Sequence, residues 1–266
     1  MKPLPLLVIN SVTFLVVLLF NYLGSSGDYF GSTVGEVSAD YQTLLTPAGY
    51  AFSIWGLIYL GWLAFLVFQW QGYLTGNSAT ALLPAGIWFS LANLSNALWV
   101  WAWTSGHLWL SLLLIAGLLL ALIRLVINFR LELDDVPLRI LFWVWWPICI
   151  YTGWVILATV LNTSVVLRSL GFSGQPETDT VWAVVILLVA AAIYMLLTLY
   201  RNMREAALVG AWGIGAIAVS KWEQAPTIGM LAAAVALMLL VTAGVHGYIH
   251  RDTSPLVKMK KGEWKY

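Results

Sequence analysis

The chain has 266 residues, of which 61% are hydrophobic and only 9% are charged, and its formal net charge is +1. Soluble globular proteins carry roughly 25% charged residues, so this composition excludes an ordinary soluble domain. The near-neutral charge argues against a nucleic acid as partner, because proteins that bind nucleic acids concentrate basic residues. The single cysteine, Cys149, excludes a disulfide framework and a cysteine-based metal site.

Eight apolar and nearly uncharged segments follow one another along the chain. A bilayer core of about 30 Å requires roughly 20 apolar residues per helix, and helices satisfy their own backbone groups in lipid. The sequence therefore predicts an all-α integral membrane protein in contact with a lipid bilayer. The predicted spans are 4–23, 47–70, 82–104, 107–127, 138–167, 180–200, 205–220 and 227–249.

Basic residues are distributed unevenly among the segments that join these spans. With the N-terminus in the cytoplasm, 11 of the 13 lysines and arginines fall inside, and only Arg168 and Lys221 fall outside. Because positively charged connecting segments stay in the cytoplasm, this distribution favours eight spans with both termini cytoplasmic. The span 205–220 is short, but without it the basic C-terminal tail would lie outside.

The longest segment between spans, residues 24–46, is rich in glycine and serine and has acidic residues but no basic one. In the topology with a cytoplasmic N-terminus this segment faces outward. Its composition is typical of a flexible segment. It forms either a lid over a pocket or a simple connection. Tyr29, Phe30 and Tyr41 would give a lid apolar side chains with which to close.

Three of the predicted spans collect aromatic residues on one helical face, calculated at 100° per residue, and two of these faces also carry asparagine. An interfacial aromatic belt marks only the ends of helices, whereas these stripes run along the axes. They suit a cavity for a flat apolar molecule with polar edges, although interhelical hydrogen bonding explains the asparagines equally well. The stripes are Phe52, Trp55, Tyr59 and Trp62; Phe89, Asn93, Asn96, Trp99 and Trp103; and Trp143, Tyr151, Trp154, Ala158 and Asn162.

Small residues predict where helices approach one another closely. Gly49, Ser53 and Gly56 adjoin the first aromatic stripe, which predicts close packing on that side of the second span. The span 205–220 has a similar stripe, made of Ala207, Ala211, Gly215 and Ala218.

Signals for catalysis and for ion transport are weak. The chain has no glycine-rich phosphate loop, and no Ser-His-Asp set is apparent. His246 and His250 have a spacing compatible with a metal ion, but an interfacial role at a helix end is favoured. We therefore predict no catalytic residues, no metal and no cofactor. Two alternatives stay open: transport of an apolar metabolite, and a structural or partner-binding membrane subunit.

Three ordered segments resemble motifs of the TspO/translocator-protein family, the tryptophan-rich sensory proteins. They are "TPAGYAFSIWGLIY" from Thr46, "NALWVWAW" from Asn96 and "YTGWVILATVLN" from Tyr151. The family usually has tryptophan where this chain has Tyr50 and proline where it has Ser53. The resemblance covers residues 4–167 and implies a five-helix bundle, to which the last three spans are an addition.

The resemblance implies a function and a division of the chain. Residues 1–170 would form the ligand-binding bundle, and residues 171–266 a three-helix membrane extension with a basic cytoplasmic tail. The ligand would be a porphyrin or related tetrapyrrole, or for some members a sterol, in a sensor or translocator of a bacterial cytoplasmic membrane; a homodimer is left open. The implied ligand-binding residues are Tyr50, Phe52, Trp55, Tyr59, Asn93, Asn96, Trp99, Trp103, Trp143, Tyr151, Trp154, Ala158 and Asn162.

Overall fold

The structure is a computed structural model that describes residues 2–171, 176–251 and 255–262. Within these residues the regular structure is entirely helical, as the sequence predicts. The helices are α1 (Pro3–Ser26), α2 (Val34–Asp40), α3 (Ile54–Leu74) after a 3-10 turn (Gly49–Ser53), α4 (Leu82–Ala85), α5 (Trp88–Thr104), α6 (Leu108–Asn128), α7 (Leu138–Ile140), α8 (Trp146–Ser169) after a π-helical turn (Leu141–Trp145), α9 (Pro176–Arg201), α10 (Arg204–Lys221), α11 (Pro226–Ile249) and α12 (Pro255–Lys260).

Six helical stretches in the described part of the chain are long and apolar enough to cross a membrane. They are Pro3–Ser26, Gly49–Leu74, Leu108–Asn128, Leu138–Ser169, Asp179–Arg201 and Pro226–Ile249. Each corresponds to one of the eight predicted spans.

The other two predicted spans, 82–104 and 205–220, contain α5 and α10, which have 17 and 18 residues. Helix α5 packs against α1 and α6, and α10 packs against α8, α9 and α11. Both helices bury small and polar side chains that a lipid-facing helix would not tolerate. Their lower hydropathy follows from this position, because a helix enclosed by other helices contacts little lipid.

Bonds between the connecting segments define the two ends of the bundle. At the end that we call the tail end, Asn202 donates to Glu132 at 3.0 Å, and Lys258 forms an ion pair with Asp135. At the opposite end, called the lid end, the indole nitrogen of Trp103 donates to the carbonyl of Val34 in α2 at 3.2 Å. Segments predicted to be cytoplasmic thus meet at the tail end.

Helices α8, α9 and α10 meet at glycines. A Cβ added to Gly153 would lie 2.8 Å from the Cα of Ala206, and one added to Gly213 would lie 2.1 Å from Leu157. The hydroxyl of Tyr194 donates to the carbonyl of Gly153 at 2.7 Å. Of the small residues predicted to pack along 205–220, Ala207, Ala211 and Ala218 are buried. A Cβ added to Gly215 would lie 3.9 Å from Ala236 of α11, which is an ordinary packing distance.

The corresponding prediction for the second span is wrong. A Cβ added to Gly49 or to Gly56 would have no neighbour within 4 Å. Helix α3 instead approaches α8 closely through Gly61, whose added Cβ would lie 3.4 Å from Pro147. Gly49, Ser53 and Gly56 are exposed, so this face of the second span lies outside the bundle.

Candidate functional site

A cavity lies toward the lid end, enclosed by α2, residues 43–47, the 3-10 turn, the start of α3, the end of α5 and the α8 residues from Trp154 to Val165. Its free volume is about 30 Å³. We call it the aromatic cavity. The lining residues are Val34, Ser38, Thr43, Thr46, Pro47, Phe52, Trp55, Trp99, Trp103, Trp154, Ala158, Leu161, Asn162 and Val165.

Four indole rings and one phenyl ring are among the fourteen residues of the cavity wall. The ring of Trp55 lies 6.0 Å from that of Trp99 and 6.2 Å from that of Trp154, with planes inclined at 32° and 83°. Trp99 stacks on Trp103 at 5.9 Å, and Phe52 meets Trp154 edge-on at 6.1 Å. Offset and edge-on pairs of this kind are the favoured arrangements of aromatic rings, so the wall is a preformed and rigid surface.

One polar group on this wall has no partner. The indole nitrogen of Trp99 donates to Asn162 at 2.9 Å, and the amide of Asn162 donates to Ser111 at 3.1 Å. The indole N–H of Trp154, by contrast, is buried and has no acceptor among the described residues. Leaving a buried donor unpaired costs about 1–3 kcal/mol, so this N–H is available to an acceptor on a bound molecule.

The segment 24–46 covers the cavity. Its helix α2 begins with a capping box, in which the hydroxyl of Thr33 accepts from the Glu36 amide at 3.1 Å and the Glu36 carboxylate accepts from the Thr33 amide at 2.7 Å. Val34 and Ser38 face the cavity, and Val37 is buried against the bundle. The segment therefore forms one side of the cavity, but Tyr29, Phe30 and Tyr41 are not among the residues that line it.

A family model described as TSPO-like protein matches residues 7–245. The chain belongs to the TSPO-like protein family. The matched range continues past α8 and takes in α9, α10 and most of α11, so it extends beyond the residues 4–167 that carry the sequence motifs. Membership of this family and the six membrane-length helices identify a multi-pass integral membrane protein. Comparisons with curated proteins and with solved structures gave no match.

Seven of the thirteen implied ligand-binding residues line the aromatic cavity of this TSPO-like protein. They are Phe52, Trp55, Trp99, Trp103, Trp154, Ala158 and Asn162. Phe52, Trp55 and Trp103 lie near the lid end of the bundle, whereas Trp154 and Ala158 lie near the middle of α8. The cavity is also lined by residues of the segment 24–46 and by Leu161 and Val165, which are not among the thirteen. Val165 extends the α8 face by about one turn beyond Asn162.

Four of the remaining residues form a layer behind the cavity wall. Tyr59 stacks on Trp55 at 5.6 Å and donates to Asn96 at 3.0 Å. Tyr151 meets Trp55 edge-on at 5.9 Å, and Asn93 accepts from the indole of Trp62 at 2.7 Å. Both asparagines therefore make interhelical hydrogen bonds, which was the other role that the sequence allowed for them.

The last two residues lie away from the cavity. Tyr50 is exposed and meets Trp212 of α10 edge-on at 5.2 Å. Trp143 stacks on Phe68 at 6.3 Å in the π-helical turn near the tail end. Helical periodicity assigns a residue to a face but not to a depth, and only about half of each aromatic face, the half toward the lid end, borders the cavity.

A polar cluster occupies the tail end. Glu132, Cys149 and Glu205 place possible ligand atoms within 4.8 Å of one another, beside a polar cavity of about 200 Å³. Burial, and secondarily the neighbouring Glu205 carboxylate, raise the pKa of Glu132 to about 8, although the hydrogen bond from Asn202 opposes this shift. Glu132 lies in the segment between α6 and α7, outside the membrane-length helices.

We expect the Glu132 carboxyl to make the protein less stable as the pH rises. An unfolded glutamate has a pKa of about 4.3, so between roughly pH 4.3 and the folded pKa of about 8 only the folded state holds the proton. Stability therefore falls with rising pH across this window and levels off above it. Each kcal/mol lost from the free energy of unfolding lowers the Tm by roughly 2–4 °C for a chain of this size.

The variant Glu132→Gln tests this expectation, because its side chain is neutral at every pH. Melting curves recorded from about pH 5 to about pH 9 should show a Tm decline of several degrees in the wild type and a smaller decline in Glu132→Gln. Asp134→Asn is the control. The exposed ion pair with Arg130 lowers the pKa of Asp134, so this carboxylate stays charged over the whole pH range and its removal should leave the slope of Tm against pH unchanged. Parallel Tm profiles for the wild type and Glu132→Gln would contradict the assignment.

Proposed function

We propose that this TSPO-like protein is a membrane-embedded binding protein, acting as a sensor or translocator of a flat apolar ligand, and that the aromatic cavity is its binding site. The ligand class that we propose is a porphyrin or related tetrapyrrole. The observation that carries the proposal is the indole-lined wall with the unpartnered N–H of Trp154. A planar conjugated ring can pack against indoles, and a carboxylate or carbonyl at its edge can accept the N–H.

Binding requires the cavity to open. Sites for small molecules usually have volumes of about 300–1,000 Å³, whereas the aromatic cavity has about 30 Å³. Helices α5 and α8 form two sides of the cavity and are long helices packed in the bundle. Helix α2 forms another side, but it is short and belongs to a connecting segment, so it can move more easily. We therefore propose that α2 and residues 43–47 swing away to admit the ligand, breaking the hydrogen bond between Trp103 and Val34.

The lining supports the proposed division of the chain at residue 170. Every lining residue of the aromatic cavity falls between Val34 and Val165, inside the proposed bundle 1–170. The extension 171–266 supports the site from behind. In α10, the carbonyl of Ala216 accepts from the Ala48 amide at 3.0 Å, and Trp212 donates to the Ala51 carbonyl at 3.2 Å. These bonds hold the 3-10 turn that carries Phe52.

We further propose eight spans with both termini cytoplasmic, in a bacterial cytoplasmic membrane. Helix α5, with 17 residues, is about 26 Å long and lies at the short end of the range for a span. The segments that are predicted to be cytoplasmic meet at the tail end, which also supports a chain that crosses the membrane in alternating directions. Reporter fusions after residues 45, 175 and 266 should read outside, outside and inside. A C-terminal reporter that reads outside would leave seven spans and end this proposal.

The binding function is tested by titrating the purified protein in detergent with protoporphyrin, a sterol and a quinone while tryptophan fluorescence is recorded. We expect protoporphyrin to quench the fluorescence in a saturable manner. A translocator would in addition move the ligand across proteoliposomes, and an enzyme would change the absorption spectrum of the ligand with time. If none of the three compounds binds saturably, the protein is better regarded as a structural or partner-binding subunit.

A further inference from the structure

A second and larger cavity lies at the lid end, outside the aromatic cavity. It is bordered by residues 42–45, the end of α8, the start of α9 and the end of α10, and its volume is about 540 Å³. This volume falls within the range of about 300–1,000 Å³ that small-molecule sites occupy. We call it the lateral cavity. Thr43 borders both cavities, so the segment that closes the first also forms part of the wall of the second.

The lateral cavity combines an apolar wall with a charged end. The apolar wall includes Leu45, Trp182, Ala183 and Ile186. The charged side chains are those of Arg168, Asp179 and Lys221, so the lining carries one more positive than negative charge. Such a surface suits a molecule that is apolar over most of its length and anionic at one end.

Lys221 is the decisive residue. It is only 3% exposed, yet its ammonium group makes no hydrogen bond or ion pair with any of the described residues, Asp179 included. Lys221 lines the lateral cavity, so an anion that enters the cavity can pair with its ammonium group. Such pairing lowers the cost of holding a positive charge in a largely buried side chain. The position of the lysine at the end of α10 also places its positive charge where the helix dipole is negative.

We propose that the lateral cavity is a binding site for an anionic amphiphile, with a carboxylate or phosphate group on Lys221 and an apolar chain along Leu45, Trp182 and Ile186. Arg168, which is exposed, adds a second positive charge at the rim. A neutral lipid would bring no negative charge to Lys221, and a small inorganic anion would leave the apolar wall without a partner. This site is distinct from the proposed tetrapyrrole site, although the two share Thr43, and its charged end at Lys221 lies outside the aromatic cavity.

The experiment uses the full-length protein in a neutral detergent and a dansyl-labelled fatty acid as fluorescent probe. Oleate, phosphatidate, oleyl alcohol and inorganic phosphate are then added as competitors. We expect oleate, phosphatidate or both to displace the probe at least about tenfold better than oleyl alcohol, since a charged hydrogen bond contributes about 1.5–3 kcal/mol. The better of the two anions shows whether the head group is a carboxylate or a lipid phosphate. Equal displacement by oleyl alcohol, or displacement by inorganic phosphate alone, would overturn the proposal.

Variants locate the site. Lys221→Met should weaken probe binding about tenfold or more, Lys221→Arg should keep most of it, and Lys261→Met, in the exposed tail, should change nothing. Oleate should raise the Tm of the wild type but not that of Lys221→Met. Should Lys221→Met fail to fold, Ala183→Phe decides, because a ring added to this lining residue takes up space along the apolar wall that the chain of the amphiphile would occupy.

Unchanged probe binding in folded Lys221→Met or in folded Ala183→Phe would refute the site. Protoporphyrin titration of the same variants separates the two cavities. If Lys221→Met binds protoporphyrin normally and has lost the probe, the lateral cavity is confirmed whatever the aromatic cavity binds.

Discussion

Ala158→Phe is expected to abolish ligand binding in the aromatic cavity. Ala158 lines the cavity one turn from Trp154, and the closed cavity has a free volume of only about 30 Å³. A phenyl ring at this position takes the place that a flat ligand would occupy beside the indole. The extra volume can strain the packing by about 1–3 kcal/mol, so the Tm of the variant must be recorded together with the protoporphyrin titration.

Two further variants separate ring contact from hydrogen bonding at Trp154. Trp154→Ala removes both and should weaken protoporphyrin binding by about 1–3 kcal/mol if the indole is an anchor. Trp154→Phe keeps an aromatic ring but removes the N–H, so it should lose only about 0.5–1.5 kcal/mol. The comparison measures the contribution of the donor that has no partner in the structure.

Trp101→Ala is the matched control for these variants. Trp101 lies on the same helix as Trp99 and Trp103, but it stacks on His107 at 5.4 Å and does not line the cavity. Its loss should leave protoporphyrin binding intact. Should Trp101→Ala weaken binding as much as Trp154→Ala in equally folded protein, the aromatic cavity is not the site and its rings serve only in packing.

Gly153→Val is expected to be the most destabilising of these changes. A Cβ at residue 153 would lie 2.8 Å from both the Cα and the carbonyl oxygen of Ala206. These are backbone atoms, so α10 as a whole must shift, and the hydrogen bond from Tyr194 to the Gly153 carbonyl is disturbed as well. Overpacking typically costs about 1–3 kcal/mol and sometimes more, and we expect the upper end of that range.

Thermal melts in detergent measure this effect, with Gly244→Val as the control. An added Cβ at Gly244, in α11, meets no atom within 4 Å, so this substitution tests the effect of removing a helical glycine without a clash. A Gly153→Val protein that melts at the temperature of the control would mean that α8 and α10 are not in the close contact described. Loss of protoporphyrin binding in Gly153→Val alone would further indicate that the extension holds the binding bundle in shape.

The sequence by itself determined the class of protein and the faces of its helices. The six membrane-length helices follow from the length and hydropathy of local segments, and the ring-bearing faces follow from the helical period. Both are properties of a single helix and do not depend on its neighbours. For this reason Trp55, Trp99 and Trp154 could be assigned to one cavity from the motifs alone, and family membership could be inferred from their order.

The tertiary structure decided everything that depends on how helices meet. It placed Asn93 and Asn96 in hydrogen bonds behind the wall, because their depth along the axis is set by the register between helices. It brought Gly61 rather than Gly56 against a neighbouring helix, because the choice of contacting face depends on all the partners of α3. It also folded α2 over the cavity and buried Lys221 away from any described partner. Distances between residues far apart in the chain are fixed only when the helices pack, and no local pattern encodes them.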